Sequence, residues 1–170
     1  MKAILCADNN WAIGRNGKVL ASIQSDLRFF REKTEGYVVV MGRKTLESLP
    51  GGRPLDNRIN IVLSRNTGLK VSGATVVHSK HELIQELAKY DSDDIFIIGG
   101  GHIYELLLPY CDTAYVTKLD YSYEADTWAP NLDYMPEWVL AEESEEQTCF
   151  DIEFTFRTYK RKYRTSLPTE

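Results

Sequence analysis

The chain has 170 residues and a mass of 19.5 kDa, enough for one domain that buries a core without staples. An apolar fraction of 43% and a charged fraction of 26% exclude a disordered chain, and no run reaches the ~18 apolar residues of a membrane span. A net charge of −5 argues against nonspecific nucleic-acid binding, and three widely spaced cysteines without a CxxC pair argue against a disulfide framework or a metal site.

The apolar opening, Lys2–Ala7, reads as a strand and turns polar at Asp8-Asn9-Asn10, too early for a secretory signal, so a cytoplasmic location is the expectation. A long connection follows, Asp8–Gln24, holding Gly14, Gly17, Asn9, Asn10 and Asn16. That content suits a flexible active-site flap. Ser25–Thr34 has helical spacing. Tyr37–Met41 is a strand candidate whose continuous apolar run, Val38 to Met41, predicts cover on both faces. Lys44–Ser48 is a short helix candidate, Ile59–Leu63 and Thr75–Val77 are strands, and Lys80–Tyr90 is a helix. Ile95–Ile98 is a second continuously apolar strand and leads into a helix at His102–Leu108.

Thr113–Lys118 and Trp138–Glu143 are strand candidates, separated by a second long connection within Asp120–Glu137. Asp151–Tyr159 alternates Ile152, Phe154 and Phe156 with Glu153, Thr155 and Arg157, as an antiparallel strand at or near an edge does. The basic group Lys160-Arg161-Lys162 with Arg164 reads as a solvated strand end and tail. Without repeats or a linker, the pattern predicts a single α/β domain over 1–163 and a tail over 164–170. Its architecture is a mostly parallel twisted sheet of about eight strands, with helices on both faces and an antiparallel C-terminal strand.

Three strand ends carry residues suited to a phosphorylated ligand. Gly99-Gly100-Gly101 joins a buried strand to a helix, where glycines let main-chain amides approach a diphosphate. The spacing is not G-x-G-x-x-G, and a plain tight turn is the bland alternative. A second strand runs into Gly42-Arg43-Lys44-Thr45 and a third into Ser64-Arg65. Ligands of open α/β sheets lie beyond the carboxyl ends of strands, and clustered cations there favour a 2′-phosphorylated cofactor, NADPH over NADH. In the helix at Ser25, Asp26 shares a face with Phe30 and lies near Leu27. Taken alone, it reads as an ordinary first-turn acid that complements the helix dipole.

Ile13-Gly14-x-x-Gly17, Asp26-Leu27-x-x-Phe30-Arg31 and Val40-Met41-Gly42-Arg43-Lys44-Thr45 occur in that order. Arg53-Pro54-Leu55 with Arg58, Asn60 to Arg65, Ile98 to Gly101 with Ile103-Tyr104, Thr117 and Asp126-Thr127 follow them. This series resembles a bacterial dihydrofolate reductase over essentially Met1 to Lys160. The resemblance implies reduction of 7,8-dihydrofolate to 5,6,7,8-tetrahydrofolate, by hydride transfer from NADPH to pterin C6 with protonation at N5. It makes Asp26 and Thr117 the catalytic pair, with the Asp26 carboxylate meeting the two donors of the pterin's 2-amino and N3 edge. Ile4, Leu5, Cys6, Leu27, Phe30, Leu49 and Leu55, with Ile98 and Tyr104, would enclose the pterin and aminobenzoyl rings. Arg58 would pair with the α-carboxylate, with Arg53 and Arg31 nearby.

On the cofactor side the resemblance assigns Gly99, Gly100 and Gly101 to the diphosphate, with a cis peptide at Gly99-Gly100. Arg43, Lys44, Thr45, Ser64 and Arg65 would take phosphates, and His78 would lie at the adenosine end. Cys6, Ala7, Ile13, Gly14 and Tyr104 would meet the nicotinamide or its ribose. Gly17, Gly42, Leu63, His102, Ile103 and Thr127 complete the set. No metal, nucleic acid or membrane is implied; a monomer inhibited by antifolates such as methotrexate or trimethoprim is. The chain departs from many members in having Leu20-Ala21 for Pro-Trp in the flap, Ala125 for glycine, and Asp8 close behind the first strand. Trp11 reads as a partly exposed loop anchor. The alternatives are a same-fold NADPH reductase of a riboflavin-pathway pyrimidine and a non-catalytic nucleotide- or antifolate-binding protein.

Overall fold

Fully buried strands of a parallel sheet carry apolar side chains on both faces, and the two continuous apolar runs lie at the sheet's centre. The structure, a computed structural model, describes residues 1–169. In chain order the first half comprises β1 (Lys2–Ala7), β2 (Ala12–Arg15), β3 (Lys18–Val19), α1 (Gln24–Thr34), β4 (Val38–Gly42), α2 (Arg43–Ser48), β5 (Ile59–Leu63) and β6 (Ala74–Val77). The second comprises α3 (Lys80–Leu87), β7 (Ile95–Gly99), α4 (Gly101–Leu107), β8 (Thr113–Leu119), β9 (Thr127–Trp128), β10 (Trp138–Glu143), β11 (Gln147–Cys149) and β12 (Ile152–Arg161). The main sheet runs β10-β12-β8-β1-β7-β4-β5-β6, with β11 added to β12. From β8 to β6 every pairing is parallel; β12 is antiparallel to both β8 and β10.

Strand alternation divides the core into two layers. Val38, Val40, Ile95 and Ile97 join Leu83 and Leu87 of α3 and Ile103 and Leu107 of α4 on one face. Ile4, Val39, Met41 and Phe96 pack on the other with Leu46 of α2 and with Phe29 and Phe30 of α1. Helices therefore cover both faces, as the alternating pattern predicts.

Three features differ from the sequence-based expectation. The long connections contain β2, β3 and β9, which form a separate three-stranded sheet in the order β3-β2-β9. Asn16 (φ 52°) and Gly17 (φ 73°) form the two-residue turn between β2 and β3, the positive-φ geometry that Asn-Gly adopts in tight hairpins. Trp11 is only 2% exposed, because its ring meets Tyr159 edge-on and the Lys118 ammonium covers it 4.8 Å from the ring centre. The basic C-terminal cluster is partly anchored: the Arg161 guanidinium donates to the carbonyls of Cys111 and Leu108 and lies over Trp138. Beyond β12, Arg164 reaches Asp93 and Asp112, and Leu167 packs against the core. Among the described residues, no helix is long and apolar enough to cross a membrane.

Candidate active site

Because β1 and β4 through β8 run parallel, Ala7, Gly42, Leu63 and Gly99 end at one edge of the sheet. The site is built there. Helix α1 enters through Ile23 and carries Asp26 in its first turn, beside the middle of β8. The Thr117 hydroxyl, from 91 residues away, donates to Asp26 Oδ1 at 2.6 Å. Burial raises the Asp26 carboxyl above its ordinary range, opposed by the hydrogen bond from Thr117 and by the Cys6 thiol. The Cys6 thiol is itself pushed well up, by burial and then by the Asp26 charge.

Apolar side chains gather next to this carboxylate. Ile4 belongs to the buried cluster on the α1 face, and Phe30, Leu49, Leu55 and Ile98 pack against it. Leu27, one residue after Asp26, is left 55% exposed. Leu5 is a correction to the enclosure expected from the resemblance. Alternation along β1 sends Ile4 and Cys6 to one face and the Leu5 side chain to the other, against Trp11, Tyr104 and Leu108.

Arg58 is half-buried, and its guanidinium donates to Thr34 Oγ1 at 3.0 Å and to the Asp56 carbonyl at 2.8 Å. Thr34 closes α1, so these bonds hold Arg58 at the far end of the helix that carries Asp26. Burial lowers its pKa, partly offset by Glu35, but guanidinium stays charged at any physiological pH. Arg31 and Arg53 are exposed, and Arg31 lies 3.8 Å from Glu35. Sequence reasoning assigns Asn60 no role, yet its side chain bonds the N–H and C=O of Leu55 and the carbonyl of Arg58. It thereby fixes the loop that presents both residues. The signal available was a polar residue inside an apolar strand pattern.

On the opposite side of the β1 end, the glycine run turns with a cis peptide at Gly99-Gly100, and Gly99 has φ 123°. Side chains are excluded from this turn. A Cβ on Gly99 would meet the Tyr104 ring at 3.3 Å, and one on Gly101 would lie 2.7 Å from the Trp128 carbonyl. Gly101→Ala is therefore expected to destabilise the protein by about 1–3 kcal/mol, because main chain must move. A thermal melt checks it, and an unchanged Tm would contradict the close packing of β9 on this turn.

Thr45 Oγ1 lies near both Gly99 and Gly100, and Ile103 of α4 packs over Gly42, so the β4–α2 and β7–α4 turns abut. Tyr104 is 3% exposed and donates to the Ile4 carbonyl at 2.8 Å; burial drives its phenol pKa far up. Arg43 is paired with Glu47, whereas Lys44 and Arg65 make no ion pair among the described residues. Ser64 is buried, and its carbonyl lies 2.8 Å from His78 Nδ1. His102 is exposed on the first turn of α4, and Thr127 of β9 borders Gly101. Ile13 and Gly14 lie on β2, while Gly17 is at the exposed hairpin tip, where an added Cβ would meet nothing within 4 Å. A turn bare of side chains beside unpaired cations fits the phosphates of a dinucleotide.

The sequence model of the dihydrofolate reductase family matches residues 1–161. Among curated proteins, the dihydrofolate reductase of Bacillus subtilis is 34% identical over 163 residues, covering 94% of this chain and 93% of the relative. That of Haemophilus influenzae is 34% identical over 161 residues, covering 92% and 97%. Among solved structures, dihydrofolate reductase from Enterococcus faecalis complexed with NADP(H) and RAB-propyl superposes with a TM-score of 0.84 at 32% identity, covering 95% of this chain and 96% of that one.

Proposed function

The chain belongs to the dihydrofolate reductase family, and from that premise we infer how its residues act in reducing 7,8-dihydrofolate to 5,6,7,8-tetrahydrofolate with NADPH. NADPH, when bound, supplies the hydride that reaches pterin C6. The observation that carries the residue assignment is the Asp26 carboxylate, largely buried and held by Thr117 beside an apolar layer. An anionic pair of oxygens there meets the two donors of the pterin's 2-amino and N3 edge, orienting the ring. The negative charge also favours a proton at N5, which Asp26 need not touch, since solvent can deliver it. Thr117 fixes the rotamer of Asp26 by its hydrogen bond.

Ile4, Cys6, Phe30, Leu49, Leu55 and Ile98 enclose the rings. The exposure of Leu27 supports this reading, since an apolar side chain at the mouth of an apolar layer is what a ligand covers. Arg58 takes the α-carboxylate, with Arg53 and Arg31 at the rim. Gly99 to Gly101 approach the diphosphate; Arg43, Lys44, Thr45, Ser64 and Arg65 take phosphate charge, with His78, His102 and Leu63 beyond. Ala7, Ile13, Gly14 and Tyr104 border the nicotinamide half. The exposed cations support a preference for NADPH over NADH.

The deciding experiment is dihydrofolate-dependent loss of NADPH absorbance by the purified protein, with NADH, methotrexate and trimethoprim run alongside. Turnover that prefers NADPH and stops with antifolate is expected. Tight NADPH binding without turnover would favour the binding-module alternative. Size-exclusion chromatography coupled to light scattering tests the proposed monomer.

A further inference from the structure

Asp8 follows β1 directly and is 0% exposed, an acidic side chain taken wholly out of water. A buried carboxylate is tolerated only when its oxygens are well bonded. Here both oxygens bind main-chain N–H groups, and they do so on two different segments. Oδ1 accepts from Asn10 N at 2.8 Å and Ala12 N at 3.0 Å, closing the turn into β2. Oδ2 accepts from Tyr123 N at 2.8 Å, in the second connection, 115 residues away. Next to this contact, Asn9 N donates to the Tyr121 carbonyl, and the buried Lys118 ammonium donates to the Asp8 carbonyl at 2.6 Å.

The same two segments meet again further along the flap. Asp126 N donates to the Gly14 carbonyl, and Asn16 N donates to Asp126 Oδ2 at 2.8 Å. The flap is thus tied at its root by Asp8 and near its tip by Asp126, with Ile13 and Gly14 between. Those two residues, with Ala7 immediately before Asp8, border the nicotinamide half of the site. We propose that Asp8 is a positioning residue for hydride transfer: its carboxylate pins the root of the flap to the Tyr121–Tyr123 segment and so sets Ile13 and Gly14 against the end of β1. The inference rests on the dihydrofolate reductase reading for its kinetic consequence, not for the link itself.

The chemistry of the link makes it separable from the fold. Asparagine keeps one carbonyl oxygen for the turn N–H groups of Asn10 and Ala12. Its amide nitrogen would then face Tyr123 N–H, donor against donor, so Asp8→Asn preserves size and turn while breaking the cross-link.

Amide hydrogen exchange and steady-state kinetics on wild type and Asp8→Asn test the proposal together. Protection is expected to fall at Tyr123 and Asn16 and to persist at Ala12 and in β4 and β7. For the variant, kcat is expected to drop roughly tenfold or more and the KM for NADPH to rise, with the KM for dihydrofolate within about threefold of wild type. A purely structural role would instead lower Tm and the active fraction without this split. Unchanged exchange at Tyr123 would overturn the link whatever the activity, and unchanged exchange at Asn16 would overturn its reach along the flap. Unchanged kcat, with wild type active and Tyr123 deprotected, would overturn the positioning role. Inactive wild type would instead reject the dihydrofolate reaction and leave the exchange result to judge the link. If Asp8→Asn does not fold, Asp8→Ala, which removes the acceptors of both segments, is read by the same criteria except that protection at Ala12 is then also expected to fall.

Discussion

Asp26→Asn is expected to lower dihydrofolate turnover at neutral pH by roughly two to three orders of magnitude, the range typical of losing an acid–base contribution. The amide keeps the shape and can still accept from Thr117, so the fold and the NADPH site should survive. What disappears is the negative charge proposed to orient the pterin edge and to favour a proton at N5. Hydride transfer should fall as pH rises, because N5 must be protonated, and the variant's fall should be displaced toward acid. Single-turnover rates measured across pH check this. Wild-type turnover in the variant, or a flat profile with chemistry rate-limiting, would remove Asp26 from the proposed role.

The same substitution has a stability consequence of opposite sign. Burial raises the Asp26 carboxyl above its unfolded value, so the folded state binds that proton more tightly than the unfolded one. Ionisation at neutral pH therefore costs stability, a cost absent below the unfolded carboxyl range and growing as pH rises through the folded pKa. Asp26→Asn removes it and should stabilise the protein at pH 7 by on the order of 1 kcal/mol, with the gain vanishing toward about pH 3. Lost activity together with a raised Tm separates a functional carboxylate from a structural one.

Arg58→Leu is expected to raise the KM for dihydrofolate about a hundredfold with kcat little changed, which corresponds to roughly 2–3 kcal/mol for a charge-assisted pair. The guanidinium is already ordered by Thr34 and Asp56, so little entropy is lost when a carboxylate arrives. A pterin lacking the glutamyl carboxylate supplies the control: wild type and variant should handle it alike. Equal loss on both substrates would mean that Arg58 only braces the end of α1.

Much of this protein is readable in the one-dimensional chain. Continuous apolar runs at Val38–Met41 and Ile95–Ile98 marked the central strands, because a strand covered on both faces has no polar side to alternate with. The order of Gly42-Arg43-Lys44-Thr45, Ser64-Arg65 and the three glycines marked strand ends that lie together at the carboxyl edge of the sheet. Two further features were also present in the sequence. The Asn16-Gly17 pair encodes the flap hairpin, and strict alternation along β1 turns Leu5 away from Ile4 and Cys6.

The remainder depended on distance in space. No local pattern links Asp26 to Thr117 across 91 residues, or Asp8 to Tyr123 across 115. The burial of Trp11 likewise required Tyr159 and Lys118 to arrive from β12 and β8. The sequence by itself determined the parallel strands, the helices and which residue types stand at the carboxyl ends of those strands, because periodicity and turn chemistry act over a few residues. Only the tertiary structure decided which carboxylate is desolvated, which hydroxyl and amides satisfy it, and how the flap is held, because those depend on parallel crossovers that bring remote segments into contact.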